Sequence, residues 1–133
     1  MNLVDTNVIV DLLDFNSPFK DWSEQQLLIA RHNGGLAINP IIYAELAALP
    51  STLTMLDDFL GATGITIEPL SRACARLAGQ AFWAYRQRKG TKTGVLADFF
   101  IGAQAQAEGW TLLTRDAARY KTYFPGVTLI CPV

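Results

Sequence analysis

Short apolar strands alternate with longer helical segments along this chain, and that alternation constrains its fold more than any other feature. Strands are predicted at residues 1–5, 36–39, 65–69, 110–114 and 127–131. Helices are predicted from near Asn7, over 21–31, from Asn39 onward, and over 52–61, 71–89 and 95–108. Strands that alternate with helices favour a parallel sheet covered on both faces, which is an α/β fold.

The boundaries of these elements follow from cap and stop residues. Asn39 with Pro40 is a helix start signal, and Ser71 is a second candidate N-cap. Glycines at the ends of the predicted helices act as stops. At 133 residues, without repeats or linkers, the chain is expected to form a single domain over 1–133.

Composition narrows the class of protein. Half of the residues are hydrophobic and 17% are charged, which is typical of a globular protein. Charged or polar residues and prolines interrupt every apolar run, and no basic region precedes the first one, so neither a membrane span nor a secretory signal is expected. Cys74 and Cys131 lack metal-ligand spacing, which favours reduced thiols and a cytoplasmic location. His32 is expected at a helix end.

Two aspartates lie at or near the carboxyl ends of predicted strands. Asp5 ends the first apolar strand, and Asp116 comes two residues after the strand at 110–114. Parallel α/β sheets place their sites at the carboxyl ends of the strands. Either aspartate could instead cap the helix that follows it.

Two further acids lie on helices beside apolar residues. Glu45 falls about 40° from Ile41 on a helical wheel, which places it within the predicted apolar stripe. The alternatives are a buried ion pair with an arginine or a position where the side chain reaches solvent. Asp98 precedes Ile101, Gly102 and Ala105, a pattern that predicts space beside its carboxylate.

Other polar residues on the predicted helices have ordinary interpretations. Gln104 and Glu108 are expected on the polar side of the helix that carries Asp98. The acids Asp11, Asp14, Asp21, Glu24, Asp57, Asp58 and Glu68 are expected at the surface or at caps.

Four carboxylates that converge repel one another unless a cation is present. Mg²⁺ or Mn²⁺ suits all-carboxylate ligation, and such an ion can activate water and neutralise a phosphodiester. Phosphodiester hydrolysis is therefore the predicted chemistry. The net charge of −1 becomes +3 when four acids are assigned to a metal site, so charge neither supports nor excludes a nucleic-acid partner.

Four segments together resemble the motifs of PIN-domain ribonucleases, and more narrowly of VapC-type toxins. They are "LVDTNVIVDLL", "IIYAELAAL", "GVLADFFIGAQA" and "LLTRDAARYKTYFP", and they span nearly the whole chain in order. The resemblance implies a three-layer α/β/α sandwich that cleaves RNA with Mg²⁺ or Mn²⁺. It also implies a homodimer and a VapB-type antitoxin as partners.

Carried over by position, the family's acids fall on Asp5, Glu45, Asp98 and Asp116. The resemblance implies metal ligation by Asp5, Asp98 and Asp116. It also implies supporting roles for Asn7, the polar residue after the first aspartate, and for the hydroxyl before the last acid, which is Thr114 in this chain.

A basic run precedes Asp98, and aromatic residues follow Asp116. Arg86, Arg88, Lys89 and Lys92 either hold RNA phosphates or form a solvated loop. Tyr120, Tyr123 and Phe124 either stack on bases or, as the favoured interpretation, pack in the last helix and turn.

Two other functions stay open at the level of sequence. A haloacid-dehalogenase-type phosphatase also begins with an aspartate after its first strand, but it needs a second aspartate where this chain has Asn7. A catalytically inactive PIN-like binding module would not need all four acids. Cleavage of RNA with Mg²⁺, with and without a chelator, separates the three.

Overall fold

A computed structural model of the chain describes residues 1–49, 54–92 and 94–132. Five strands form one all-parallel sheet in the order β3-β2-β1-β4-β5. The strands are β1 (Asn2–Val4), β2 (Leu36–Ile38), β3 (Ile65–Ile67), β4 (Thr111–Leu113) and β5 (Leu129–Ile130). The predicted α/β class is confirmed, and each strand is shorter than its predicted range.

Helices fill the connections between the strands. In the described parts of the chain they are α1 (Thr6–Leu13), α2 (Lys20–His32), α3 (Pro40–Ala47), α4 (Leu56–Thr63), α5 (Arg72–Gln87), α6 (Val95–Glu108) and α7 (Ala117–Lys121). The helix predicted over 52–61 begins at Leu56, and residues 52 and 53 lie outside the described residues. The other predicted helices are confirmed with shifts of a few residues at their ends.

The strand order reverses direction beside β1. The chain moves from β1 outward to β2 and β3, then returns across the sheet to β4 and β5. Right-handed crossovers therefore place α1–α4 on one face of the sheet and α5–α7 on the other. Ligand sites in such sheets lie at the carboxyl edge where the order reverses, here between β1 and β4.

The predicted caps form at the helix ends. Asn39 accepts a hydrogen bond from the Ile42 amide at 2.9 Å, and Ser71 accepts one from Cys74 at 3.1 Å. Gly109 ends α6 in the left-handed conformation, with φ 69°. Each of these caps satisfies backbone groups that a helix end leaves without partners.

Gln104 differs from its prediction because it is fully buried rather than on a polar side. Its side-chain oxygen accepts a hydrogen bond from Asn39 at 3.0 Å, and its amide donates to the Pro69 carbonyl at 3.1 Å. Since Asn39 caps α3 and Gln104 belongs to α6, this contact joins the two helices that carry Glu45 and Asp98.

The position predicted for His32 is confirmed. Cys74 is buried and free, Cys131 is half-buried and free, and His32 is exposed at the end of α2. None of the helices in the described residues has the length and apolar character needed to cross a membrane.

Candidate functional site: an acid cleft at the carboxyl edge of the sheet

Asp5 lies at the carboxyl end of β1 and is only 2% exposed. One carboxylate oxygen, Oδ1, accepts the Thr6 amide at 2.8 Å and so caps α1. The other, Oδ2, accepts hydroxyl protons from Thr114 at 2.8 Å and Tyr120 at 2.7 Å. The two interpretations of Asp5 are therefore compatible, because one oxygen caps the helix while the carboxylate faces the carboxyl edge.

The parallel register of β1 and β4 explains how Asp5 meets Thr114. Val4 pairs with Leu113, so the next residue of each strand lies side by side at the sheet edge. The Thr114 hydroxyl also accepts the Asp116 amide at 3.0 Å, and the Asn7 side chain accepts the Arg115 amide at 3.1 Å. Both predicted supporting residues thus hold the loop that carries Asp116.

Asp98 and Asp116 share one guanidinium. Arg119 Nη1 lies 3.2 Å from Asp98 Oδ1, and Arg119 Nη2 lies 3.0 Å from Asp116 Oδ2. Asp98 stands on the first turn of α6, and Arg119 stands on α7. The sequence analysis did not select Arg119; its only signal was a cation three residues after Asp116.

Glu45 is exposed, so its predicted place within a buried stripe is wrong. The buried face of α3 is formed by Ile42 and Leu46. Ile41, the residue that made the stripe seem to include Glu45, is only half-buried. The Glu45 carboxylate instead accepts the Thr6 hydroxyl proton at 2.7 Å, which ties it to the start of α1.

Three of the acids act electrostatically on the fourth, Asp98. Burial raises the pKa of Asp98 to about 6, and the charges of Asp5, Glu45 and Asp116 raise it while Arg119 lowers it. Burial also raises the pKa of Tyr120 above its usual range, with Asp5 adding to the effect. Tyr120 therefore stays protonated as a donor to Asp5, and Asp98 is a carboxylate that gains from a nearby cation.

Three of the four acids line one cleft of about 650 Å³, and Asp5 lies buried outside its lining. Its walls combine acids, a basic pair and aromatic rings. They include Glu45, Asp98, Asp116, Lys92, Arg119 and Tyr123. We call this site the acid cleft.

The donor chemistry of the acid cleft fits a hard divalent cation, because all of its candidate ligands are carboxylate oxygens. In the described residues, no group of three or more acidic, histidine or cysteine side chains is set in a metal-binding arrangement. Two of the candidate ligands, Asp98 and Asp116, are instead joined to Arg119. In this structure, the Arg119 guanidinium therefore supplies the positive charge beside Asp98 and Asp116.

The four cations of the basic run differ in their relation to the acid cleft. Lys92 lines the cleft, and the Arg88 guanidinium lies 5.8 Å from the centre of the Tyr123 ring. Arg86 is placed over Phe82 at 5.9 Å, and Lys89 is exposed with a φ of 60°. The structure thus brings Lys92 into the cleft and leaves the other cations on the surface around it.

The aromatic residues after Asp116 mainly pack, as the favoured interpretation predicts. Tyr120 and Phe124 are buried. Tyr123 is half-buried, with its ring centre 5.0 Å from that of Phe99. A Cβ at Gly102 would overlap the Phe124 ring, so the small residue there makes room for packing rather than for the Asp98 carboxylate.

Asp11 is a second buried acid, and its predicted surface position is wrong. It is 2% exposed, and its oxygens accept hydroxyl protons from Ser17 and Ser23, both at 2.7 Å. Arg115 Nε lies 2.7 Å from Asp11 Oδ2 without the alignment of a hydrogen bond, and its guanidinium lies 4.6 Å from the Phe19 ring centre. We call these five residues the Asp11 cluster.

The all-parallel sheet and the acids at its carboxyl edge are features of a known protein family. The PIN domain family matches residues 3–125, and the chain belongs to that family. PIN-domain ribonucleases generally use a divalent metal. The family assignment replaces the phosphatase alternative, and the all-parallel sheet agrees with it.

Individual relatives agree with the family assignment. Ribonuclease VapC10 of Mycobacterium tuberculosis strain H37Rv is 28% identical over 123 residues, which cover 92% of this chain and 88% of the relative. The solved structure of VapBC2 from Rickettsia felis, bound to a DNA fragment from their promoter, superposes with a TM-score of 0.73 and 22% identity over 98% of this chain and 97% of that one. A toxin–antitoxin complex from Klebsiella pneumoniae superposes with a TM-score of 0.63 and 24% identity over 100% and 98%.

Proposed function

We propose that this protein is a divalent-metal-dependent endoribonuclease and the toxin of a VapBC-type toxin–antitoxin pair. One observation carries the proposal: Glu45, Asp98 and Asp116 come from separate elements to line one cleft, and the charge of Asp5 acts on the same site. The PIN family match and the similarity to a named VapC ribonuclease agree with that chemistry.

Within this proposal the acids divide their roles. Asp5, Asp98 and Asp116 would hold Mg²⁺ or Mn²⁺. Thr114 donates a hydrogen bond to the Asp5 carboxylate, and Thr114 and Asn7 together hold the backbone that presents Asp116. A bound ion of this kind lowers the pKa of a water ligand and neutralises charge on the phosphodiester.

Glu45 is the acid best placed to accept a proton from the attacking water. Its side chain is exposed at the mouth of the cleft, and the Thr6 hydroxyl holds one carboxylate oxygen. No ion pair is formed by Glu45 within the described residues, so its carboxylate stays available as a base.

The basic run Arg86, Arg88, Lys89 and Lys92 is proposed to hold the RNA backbone beside the cleft. Arg88→Ala combined with Lys89→Ala should weaken RNA binding and reduce its dependence on salt, because fewer phosphate contacts release fewer counterions. Binding measured over a salt series tests this. An unchanged slope would mean that these two cations form only a solvated loop.

The proposed partners are an RNA substrate, a VapB-type antitoxin and a second copy of the chain, with the cytoplasm as the location. Two large aromatic side chains are exposed at the surface. Phe15 is 87% exposed and Trp83 is 67% exposed. The similar solved structure from Klebsiella pneumoniae is a toxin–antitoxin complex, which supports the antitoxin as a partner.

The deciding experiment is cleavage of a structured RNA by the purified chain, freed of any antitoxin. Cutting should require Mg²⁺ or Mn²⁺ and stop when EDTA is added. Asp58→Asn, an exposed charge change on α4, is the matched control and should cut like the parent. Unchanged cleavage in EDTA would overturn the metal dependence, and no cleavage under any metal would favour an inactive binding module.

A further inference from the structure

Arg119 lines the acid cleft and contacts two of its acids. Its guanidinium contacts Asp98 on α6 through one nitrogen and Asp116 on the β4–α7 loop through another. Both carboxylates line the cleft, and Arg119 lines it with them. One side chain thus spans two of the three carboxylates that are proposed to hold a metal ion.

The electrostatics of Arg119 are those of a counterion. Burial acts to lower the pKa of its guanidinium, but the charges of Asp98, Asp116 and Asp5 outweigh burial and raise it. The planar guanidinium presents several donors in a fixed fork, which suits a contact with two carboxylates at once. A divalent cation bound to the same oxygens would meet both a steric conflict and a like charge.

The exposed position of Arg119 allows its side chain to move away from Asp98 and Asp116. Its side chain is 41% exposed, and it stands on the five-residue helix α7. An exposed arginine loses little when it exchanges a carboxylate for water, because surface ion pairs contribute at most about 1 kcal/mol each.

We infer that Arg119 is a built-in counterion of the acid cleft, which competes with the divalent cation for Asp98 and Asp116 and thereby sets the affinity of the site. The inference rests on the proposed function, since it concerns the same metal site. Arg119 weakens metal binding, whereas the proposed ligands Asp5, Asp98 and Asp116 provide it.

The test is a calorimetric titration of Mn²⁺ into the full chain, without RNA and in metal-free buffer. Arg119→Gln should bind Mn²⁺ about tenfold more tightly than the parent, which corresponds to about 1.4 kcal/mol. Lys121→Gln is the matched control, because Lys121 is an exposed cation on the same helix, and its variant should bind like the parent. Arg119→Lys keeps the charge but loses the fork, so it should fall between the parent and Arg119→Gln.

Thermal melting of the same proteins provides a second measurement that does not depend on activity. In EDTA, Arg119→Gln should melt below the parent, because Asp98 and Asp116 lose their counterion. Added Mn²⁺ should then raise its melting temperature more than that of the parent, because tighter binding stabilises the folded state more. This pattern also shows that the variant is folded.

The possible outcomes separate the two proposals. If the parent binds Mn²⁺ and Arg119→Gln binds it equally or more weakly, the counterion role is overturned and the metal site stands. If Lys121→Gln tightens binding as much as Arg119→Gln does, the effect is one of general charge and the inference is overturned. If neither the parent nor Arg119→Gln binds Mn²⁺, both the inference and the proposed metal site fall.

Discussion

Asp5 and Asp11 are two aspartates at opposite ends of one short helix, and they are buried to the same extent. Each accepts two short hydrogen bonds from hydroxyl groups: Asp5 from Thr114 and Tyr120, and Asp11 from two serines. They differ in whether a cationic side chain lies beside the carboxylate. Asp11 has Arg115 Nε at 2.7 Å, whereas no cationic side chain in the described residues forms an ion pair with Asp5.

This difference supports a structural role for Asp11 and the proposed functional role for Asp5. A buried carboxylate with its own arginine and hydroxyl donors is neutralised and hydrogen-bonded within the fold. A buried carboxylate that has only neutral donors has no counter-charge from a side chain of the fold, at a cost to stability that selection for folding alone would not favour. Burial alone does not distinguish the two.

The largest expected effect comes from Asp5→Asn. The amide keeps the shape of the side chain but loses the charge, so RNA cleavage should fall by at least about 100-fold, since even residues outside the metal's direct ligands commonly cost 10–100-fold. Single-turnover cleavage with saturating Mn²⁺ measures this. Asp11→Asn, compared at a temperature where it is folded, should keep most of its activity. Equal losses in the two variants would remove the proposed distinction.

Asp11→Asn should have the larger effect on stability. It leaves the Arg115 charge beside an amide, and we expect a loss of about 2 kcal/mol, below the usual value for a buried pair because the Arg115 side chain is 30% exposed. Urea denaturation measures it. The double variant Asp11→Asn with Arg115→Met should lose less than the sum of the two single changes, because it leaves no charge unpaired. Strict additivity would mean that the ion pair does not act as a unit.

A third prediction concerns Asp98 and pH. The pKa of Asp98 is about 6 in the folded chain and 3.8 ordinarily, so the folded state holds the proton more strongly than the unfolded state does. Without metal, this group should therefore add stability as the pH falls from 7 through 6 towards 4. Asp98→Asn should lose that dependence and melt higher than the parent at pH 7 in EDTA, by on the order of 1 kcal/mol.

Calorimetry of both proteins at pH 5 and pH 7 checks the Asp98 prediction. A variant that is less stable than the parent at pH 7 would show that the ion pair with Arg119 outweighs the repulsion among the acids.

The smallest expected effects come from single hydroxyls. Tyr120→Phe removes one donor to Asp5, and Ser23→Ala removes one donor to Asp11. Each should cost about 1 kcal/mol of stability, as is usual for a single hydrogen bond. Only Tyr120→Phe should also lower Mn²⁺-dependent cleavage, by about tenfold, because Tyr120 fixes a proposed metal ligand. A comparable loss in Ser23→Ala would contradict the division of roles.

The sequence allowed the architecture to be predicted because its signals are local. Apolar strands, the Asn39–Pro40 start and the Ser71 cap each depend on a few neighbouring residues, and all of them are confirmed. The β1 and β4 pairing itself joins residues far apart in the chain. The sequence analysis predicted that both aspartates lie at carboxyl ends of strands, but it did not predict that these two strands are neighbours.

The wrong predictions concern residues whose burial depends on partners that are far away in sequence. Glu45 seemed to lie within an apolar stripe because Ile41 was counted as core, yet Ile41 is half-buried. Asp11 and Gln104 looked like surface residues because their partners, Arg115 and Asn39, lie far away in sequence. Helical periodicity carries no information about such partners, so it could not identify the Asp11 cluster or the contact between α3 and α6.

The hydrogen bonds of Asp5 reach across 109 and 115 residues of chain. During synthesis, Asp5 leaves the ribosome long before Thr114, Asp116 and Tyr120 exist. A nascent chain that stops short of β4 has neither the neighbouring strand nor the last acid, so it cannot assemble the site. If the proposed function holds, we expect chains that end before β4 to lack nuclease activity.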